Sequence, residues 1–151
     1  MPVLNNREAK RILDRVDEQW GVESSFLLKT FSLVLSEKQK VYLINREIHS
    51  IDSSELSISS VGLYFANVKD AEVRLSIEGS QLIGPHATKN VFEITRDQVE
   101  DWIRGRDLET TQALSGYVIV RCDKDFIGCG HFKDGIITNF VPKNRRISSD
   151  S

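Results

Sequence analysis

Three short runs decide the fold: GYVIVRC (116–122), FIGCGHF (126–132) and GIITNFV (135–141). Each is rich in β-branched and aromatic residues. Asp123-Lys124-Asp125 and Lys133-Asp134-Gly135 separate them at hairpin distances, which predicts an antiparallel β-meander. With Asp123–Asp125 as a three-residue turn, Cys122 faces Phe126 and Cys129 faces Ile119, so the two thiols point to opposite sheet faces. The same register puts Val118, Val120, Phe126 and Phe132 on one face and Arg121 and His131 on the other. One face then packs on a core, with Val118, Val120 and Phe132 buried, and the other meets solvent. Gly128 and Gly130 leave the middle strand without side chains there, as a bulge, a barrel bend or close approach by another backbone requires.

Upstream, helix and strand signals alternate. Asn6–Trp20 reads as an amphipathic helix with Asn6 as N-cap, Ile12, Leu13, Val16 and Trp20 at helical spacing, and Gly21 as the stop. Its other face carries charges of both signs, unlike a cationic membrane-surface helix, so the apolar stripe is expected to pack on neighbouring strands. Phe26–Leu35 and Lys40–Asn45 read as β-rich segments around the turn Ser36–Gln39, and Ile58–Ala66 as a further β-branched stretch. The serines at 50, 53, 54, 57, 59 and 60 mark loops and strand edges. Ser76–Ile83 reads as a short helix ended by Gly84 and Pro85, and Asn90–Ile94 as a strand. Thr95 and Gln98 make a capping box for a helix closed by Gly105, with Val99, Trp102 and Ile103 as its buried stripe.

Composition and charge narrow the class. The chain has 151 residues and 40% hydrophobic residues, enough for one compact domain or two small ones. No apolar run reaches the roughly 20 residues of a membrane span, and MPVLNNREAKR lacks a signal-peptide core, so a cytoplasmic setting with free thiols is expected. The net charge is −2 but unevenly spread. Residues 1–115 hold 14 basic and 18 acidic side chains, whereas residues 121–146 hold six basic against three acidic. A basic segment on an acidic carrier suits a polyanion.

Signals for catalysis are thin. No G-x-S-x-G, H-E-x-x-H or phosphate-binding loop is present. Cys129 and His131 share a strand face and could pair as nucleophile and base, but no acidic orienting partner is identifiable. His49, His86, His131 and the cysteines lack metal-ligand spacing. Pro142-Lys143-Asn144-Arg145-Arg146 is the better constellation, since Lys and Arg supply phosphate contacts and Arg can stack on an unpaired base. Its plain alternative is a solvated tail.

These residues resemble a family. Gly116-Tyr117-Val118-Ile119-Val120, Ile127-Gly128-Cys129-Gly130, Gly135, Asn139-Phe140-Val141-Pro142-Lys143 and Arg146 look like the PUA-like module that ends bacterial ribosomal RNA 5-methylcytosine methyltransferases. There G-[WY]-V-x-V leads to [IL]-G-x-G, G, K-N-x-x-P-K and a terminal Arg. Trp102-Ile103-Arg104-Gly105-Arg106-Asp107-Leu108 resembles the family's preceding helix end, so the likeness covers residues 90–147. Thr138 stands where the family has Lys, removing one phosphate contact. The 151 residues also lack the length and the Gly-rich S-adenosylmethionine site of a methyltransferase domain.

The resemblance implies an α+β protein: a small α/β, pre-PUA-like N-terminal domain (1–80), a PUA-like β pseudo-barrel (81–147) and a tail (148–151). It implies a non-enzymatic RNA-binding protein for ribosomal or transfer RNA, in RNA modification or ribosome biogenesis, with no cofactor, metal or membrane. An RNA-modification enzyme or a ribosome-assembly protein would be the further partner. Lys143, Arg145 and Arg146 are the first choice for phosphate contacts. Arg121, Lys133 and Asn139 follow from the exposed sheet face and its turns, with Asn139 able to read a base edge, and Arg104 and Arg106 extend the patch. The alternatives are a protein-interaction adaptor for an RNA-modifying enzyme and a small Cys/His enzyme.

Overall fold

The computed structural model describes residues 3–49 and 62–141, with backbone alone at 48–49. Residues 58–61 of the expected Ile58–Ala66 stretch, the serines from 50 to 60, and Lys143, Arg145 and Arg146 lie outside the described residues.

Helices and two sheets make the α+β fold that the sequence led us to expect. A four-stranded antiparallel sheet runs in the order β1-β2-β3-β4, from Phe31–Leu35, Lys40–Asn45, Leu63–Lys69 and Glu72–Leu75. A second sheet has the order β5-β7-β8-β9-β6, from Val91–Glu93, Gly116–Cys122, Asp125–Lys133, Ile136–Asn139 and Leu108–Glu109. Only β5 pairs in parallel there, with β7, because the connection between them carries a helix that returns the chain to the same end. The helices are α1 (Asn6–Trp20), α2 (Arg46–His49), α3 (Ile77–Ile83) and α4 (Arg96–Ile103).

Local chemistry accounts for the helix ends. α1 is capped by Asn5 and not by Asn6: the Asn5 side chain accepts from the Glu8 amide at 2.8 Å and Glu8 accepts from the Asn5 amide at 3.3 Å. That reciprocal box fixes the start one residue earlier. Gly21 ends the helix in the left-handed conformation, φ 62°. Ser76 caps α3, and Thr95 with Gln98 forms the capping box of α4. Of the α4 stripe, Trp102 is buried while Val99 and Ile103 are half-buried. The expected Phe26–Leu35 strand is shorter. Ser24–Lys29 is a 3₁₀ turn, held to α1 by the Ser24 amide on the Asp17 carboxylate and the Ser24 hydroxyl on the Leu13 carbonyl.

The meander is present, with one slip of register. Ile119 pairs with Cys129 as expected, but Cys122 pairs with Asp125 and Arg121 with Phe126. The turn therefore has two residues, Asp123 and Lys124, with Asp123 at φ 55°, and the compensating bulge falls between Val120 and Arg121. A bulge reverses the facing of everything beyond it. Phe126 accordingly joins the Arg121 face instead of the Val118 face, with the two side chains 6.0 Å apart.

Nor is one sheet face left to solvent. Val118 and Val120 are fully buried as expected, but Phe132 is only half-buried. On the opposite face Ile119 is 0% exposed and Cys129 4%, both packed into the cluster that holds Trp20, Leu43, Phe65 and Ile83. The sheet is covered on that side by the N-terminal half, whose α3 and β4 lie against β7 and β8. α1 packs its stripe of Ile12, Leu13, Val16 and Trp20 into the same core. Its C-terminal end is also tied across: Gln19 donates to the carbonyls of Ser115 and Tyr117, each at 2.7 Å, and Asn90 donates to the Gln19 carbonyl at 2.8 Å.

Candidate nucleic-acid interface

The basic residues singled out from the sequence fall into separate places. Lys133 is exposed at the β8–β9 turn. Arg121 lies six strand positions away toward the other end of β7, a separation of ~20 Å at about 3.3 Å per residue. Its guanidinium is already engaged, Nε to the Glu93 carboxylate at 2.5 Å. That bond and the Asp123 amide hold the Glu93 carboxyl below the usual carboxylate range. Arg106 is likewise paired, with Asp101 at 2.7 Å, whereas Arg104 caps α4 half-buried.

Asn139 is not on an exposed face. Its side chain is 7% exposed, and Nδ2 donates to the Trp102 carbonyl at 2.7 Å and the Arg106 carbonyl at 2.9 Å. Oδ1 accepts from the Val141 amide at 2.7 Å. The expectation of a base-reading amide is corrected accordingly. An amide whose hydrogen-bonding ends both serve buried backbone is a clamp, and it joins the end of α4 to the point where the chain proceeds into Pro142–Arg146. Arg106 is thereby brought to Asn139 and Val141, the last described residues before the basic run in sequence, while Lys133 and Arg121 lie elsewhere.

Gly128 and Gly130 are explained by Trp102. A Cβ on Gly130 would meet the Trp102 ring at 2.9 Å, the Thr138 carbonyl at 2.6 Å and Ile137 at 2.5 Å; on Gly128 it would meet the Trp102 indole nitrogen at 3.2 Å. Glycine is needed because an indole and a neighbouring strand lie on the backbone. Trp102 Nε1 donates to the Ile127 carbonyl at 3.2 Å and completes the fit.

A second group of side chains, absent from the sequence reading, collects at the seam between the sheets. Arg74 lies over the Phe140 ring at 4.6 Å and is near enough to Tyr64 to act on its phenol. Tyr64 is 5.7 Å from Tyr42 and carries the Lys40 ammonium 5.3 Å above its ring. Tyr117 is 6.1 Å from Phe140 and meets His131 edge-on at 4.9 Å. Partial burial pushes the phenols of Tyr64 and Tyr117 up, with Arg74 opposing the shift at both. Nothing in the spacing of these residues along the chain brings them together. Only the packing of one sheet on the other does.

Cys129 and His131 do not make an activated dyad. Burial pushes the Cys129 thiol up to about 12, so the thiolate a nucleophile requires is scarce at neutral pH, and His131 is turned to Tyr117. The folded protein should therefore leave Cys129 unmodified by iodoacetamide at pH 8, with labelling appearing in urea. Because the folded thiol holds its proton above its ordinary pKa of 9.0, its contribution to stability is present below pH 9 and lost as pH rises from 9 toward 12. Rapid labelling of the native state would overturn this. Among the described residues, no three His, Cys, Asp or Glu side chains are grouped to hold a metal ion, and no helix is long and apolar enough to cross a membrane.

The fold is thus that of an α+β protein whose second sheet curls round a buried tryptophan. Residues 89–147 match the family model described as the methyltransferase RsmF PUA domain. The segment is a PUA-type domain, and it spans 59 of the chain's 151 residues. No curated protein matched it.

Proposed function

We propose that this protein binds ribosomal or transfer RNA and serves RNA modification or ribosome biogenesis, with no catalytic chemistry of its own in the PUA-like half (81–147). The observation that supports this reading is the PUA-domain match, which extends to residue 147 and so includes Pro142-Lys143-Asn144-Arg145-Arg146. Backbone phosphates dominate nucleic-acid affinity, and the basic run that follows Val141 in sequence supplies the counter-charge. Lys143, Arg145, Arg146 and Lys133 are the proposed phosphate contacts. Arg121 and Arg106 contribute less, because each is already neutralised by a carboxylate.

Four phosphate contacts to a single strand give a log–log salt slope of about −3, at roughly −0.7 per contact. Replacing Arg145 and Arg146 by Ala should reduce that slope by about 1.4 and weaken all RNA sequences alike, since phosphate contacts carry no sequence information. The measurement is a fluorescence titration with ribosomal and transfer RNA fragments across a salt series. An unchanged slope would remove the tail from the interface, and absence of RNA binding would move the protein to the adaptor reading.

A further inference from the structure

The geometry points to a stacking platform for unpaired RNA bases along the seam, formed by Tyr64, Arg74, Phe140 and Tyr117, with Lys40 and His131 at its ends. This rests on the RNA-binding reading and deepens it: the ligand class is single-stranded RNA, and the N-terminal half shares in holding it. Register carries the first part of the argument. In the four-stranded sheet Lys40 pairs with Asn67, Tyr42 with Tyr64 and Asn67 with Arg74, the β-bulge at Phe65 bringing Tyr64 to the same face as Asn67. Two tyrosines, a lysine and an arginine thus share a face where strand alternation without the bulge would have separated them.

The second part is composition. Phe140 is 36% exposed, one of two large hydrophobic side chains so exposed among the described residues, and the Arg74 guanidinium lies over its ring. Tyr64, Tyr117 and Arg74 beside it are half-buried, and aromatic rings interleaved with Arg and Lys are what unpaired bases require: rings and guanidinium planes stack on the base faces, and the cations meet the phosphates. A protein partner would be favoured by an apolar patch, and here Tyr64, Phe140 and Tyr117 each have a cation or an imidazole against the ring.

The third part is continuity. Phe140 is two residues from Pro142, where the basic run begins. Glu72, which lies beside Tyr117 and raises its pKa, limits the platform on that side and keeps phosphates toward Arg74.

The test compares Phe140→Leu, which keeps apolar bulk and removes the ring, and Arg74→Lys, which keeps charge and removes the plane. Binding to a labelled single-stranded RNA and to a duplex of equal length is measured by anisotropy, with thermal midpoints as a check on folding. Each variant should weaken single-strand binding roughly fivefold or more, spare the duplex, and leave the salt slope unchanged. In the unaltered protein, RNA carrying 5-bromouridine should photocrosslink to Tyr64, Tyr117 or Phe140. Wild-type affinity in both variants, equal loss on duplex, or crosslinks confined to other segments would overturn the platform. If Arg145→Ala/Arg146→Ala still weakens binding in that case, the RNA-binding reading stands without it. If the unaltered protein binds no RNA, that reading itself has failed.

Discussion

Trp102→Ala should destabilise the protein by about 3–5 kcal/mol, measured as a shift in the urea unfolding midpoint at constant m. Trp102 is completely buried and is the largest side chain of the second core cluster, with Ile94, Leu108, Val120, Cys122, Ile137 and Val141 around it. Its ring occupies the space that Gly128 and Gly130 leave on β8, so the backbone has no side chain of its own to collapse into the void. Loss of the indole N–H also leaves the Ile127 carbonyl without that donor. Restoring volume from the other side, by Gly130→Ala in the Trp102→Ala background, should recover little, because the added methyl still meets the Thr138 carbonyl at 2.6 Å. A loss below about 1 kcal/mol in Trp102→Ala would mean that the curled sheet does not depend on this contact.

Asn139→Ala is the second large effect, expected at about 2–5 kcal/mol. Three buried or half-buried backbone groups lose a partner at once: the carbonyls of Trp102 and Arg106 and the amide of Val141. Each unsatisfied group costs about 1–3 kcal/mol, and water reaching some of them keeps the sum below full additivity. The Asn139 amide is itself held by the Asp107 carboxylate at 2.8 Å, so the whole junction of α4, β6 and β9 loosens together. RNA affinity should fall with the folded population, without a change in preference among sequences. A variant within about 0.5 kcal/mol of the wild type, or one with altered sequence preference, would return Asn139 to a surface, base-reading role.

The two predictions show where reading along the chain stops. Asn139 belongs to a recognisable motif, but a motif says which residue recurs and not whether it faces RNA or backbone. The expectation of an exposed amide came from placing β9 on an open sheet face. That face is closed by α4, whose carbonyl ends need a donor, and the amide meets that need. For the two glycines the sequence allowed a bulge, a bend or a close approach, and only the position of Trp102 decided for the last.

What the sequence alone determined was much of what nearest neighbours govern, though not the Asn5 cap of α1 or the 3₁₀ turn at Ser24–Lys29. The capping box of Thr95 and Gln98, the stop at Gly21, the span of α3 and the three-stranded meander each depend on residues within a few positions, where backbone hydrogen bonding and side-chain periodicity act directly. The PUA-type domain was legible for the same reason, since its motifs are turns and strands in fixed order. What only the tertiary structure decided was which faces meet. A one-residue slip at Asp123–Asp125 sends Phe126 to the opposite side, and no local preference distinguishes a two-residue turn with a bulge from a three-residue turn without one. The burial of both faces of β7 and β8, the clamp at Asn139 and the gathering of Tyr64, Arg74, Phe140 and Tyr117 all follow from packing one sheet on another, an interaction between residues far apart in the chain whose free energy depends on the shape of both surfaces.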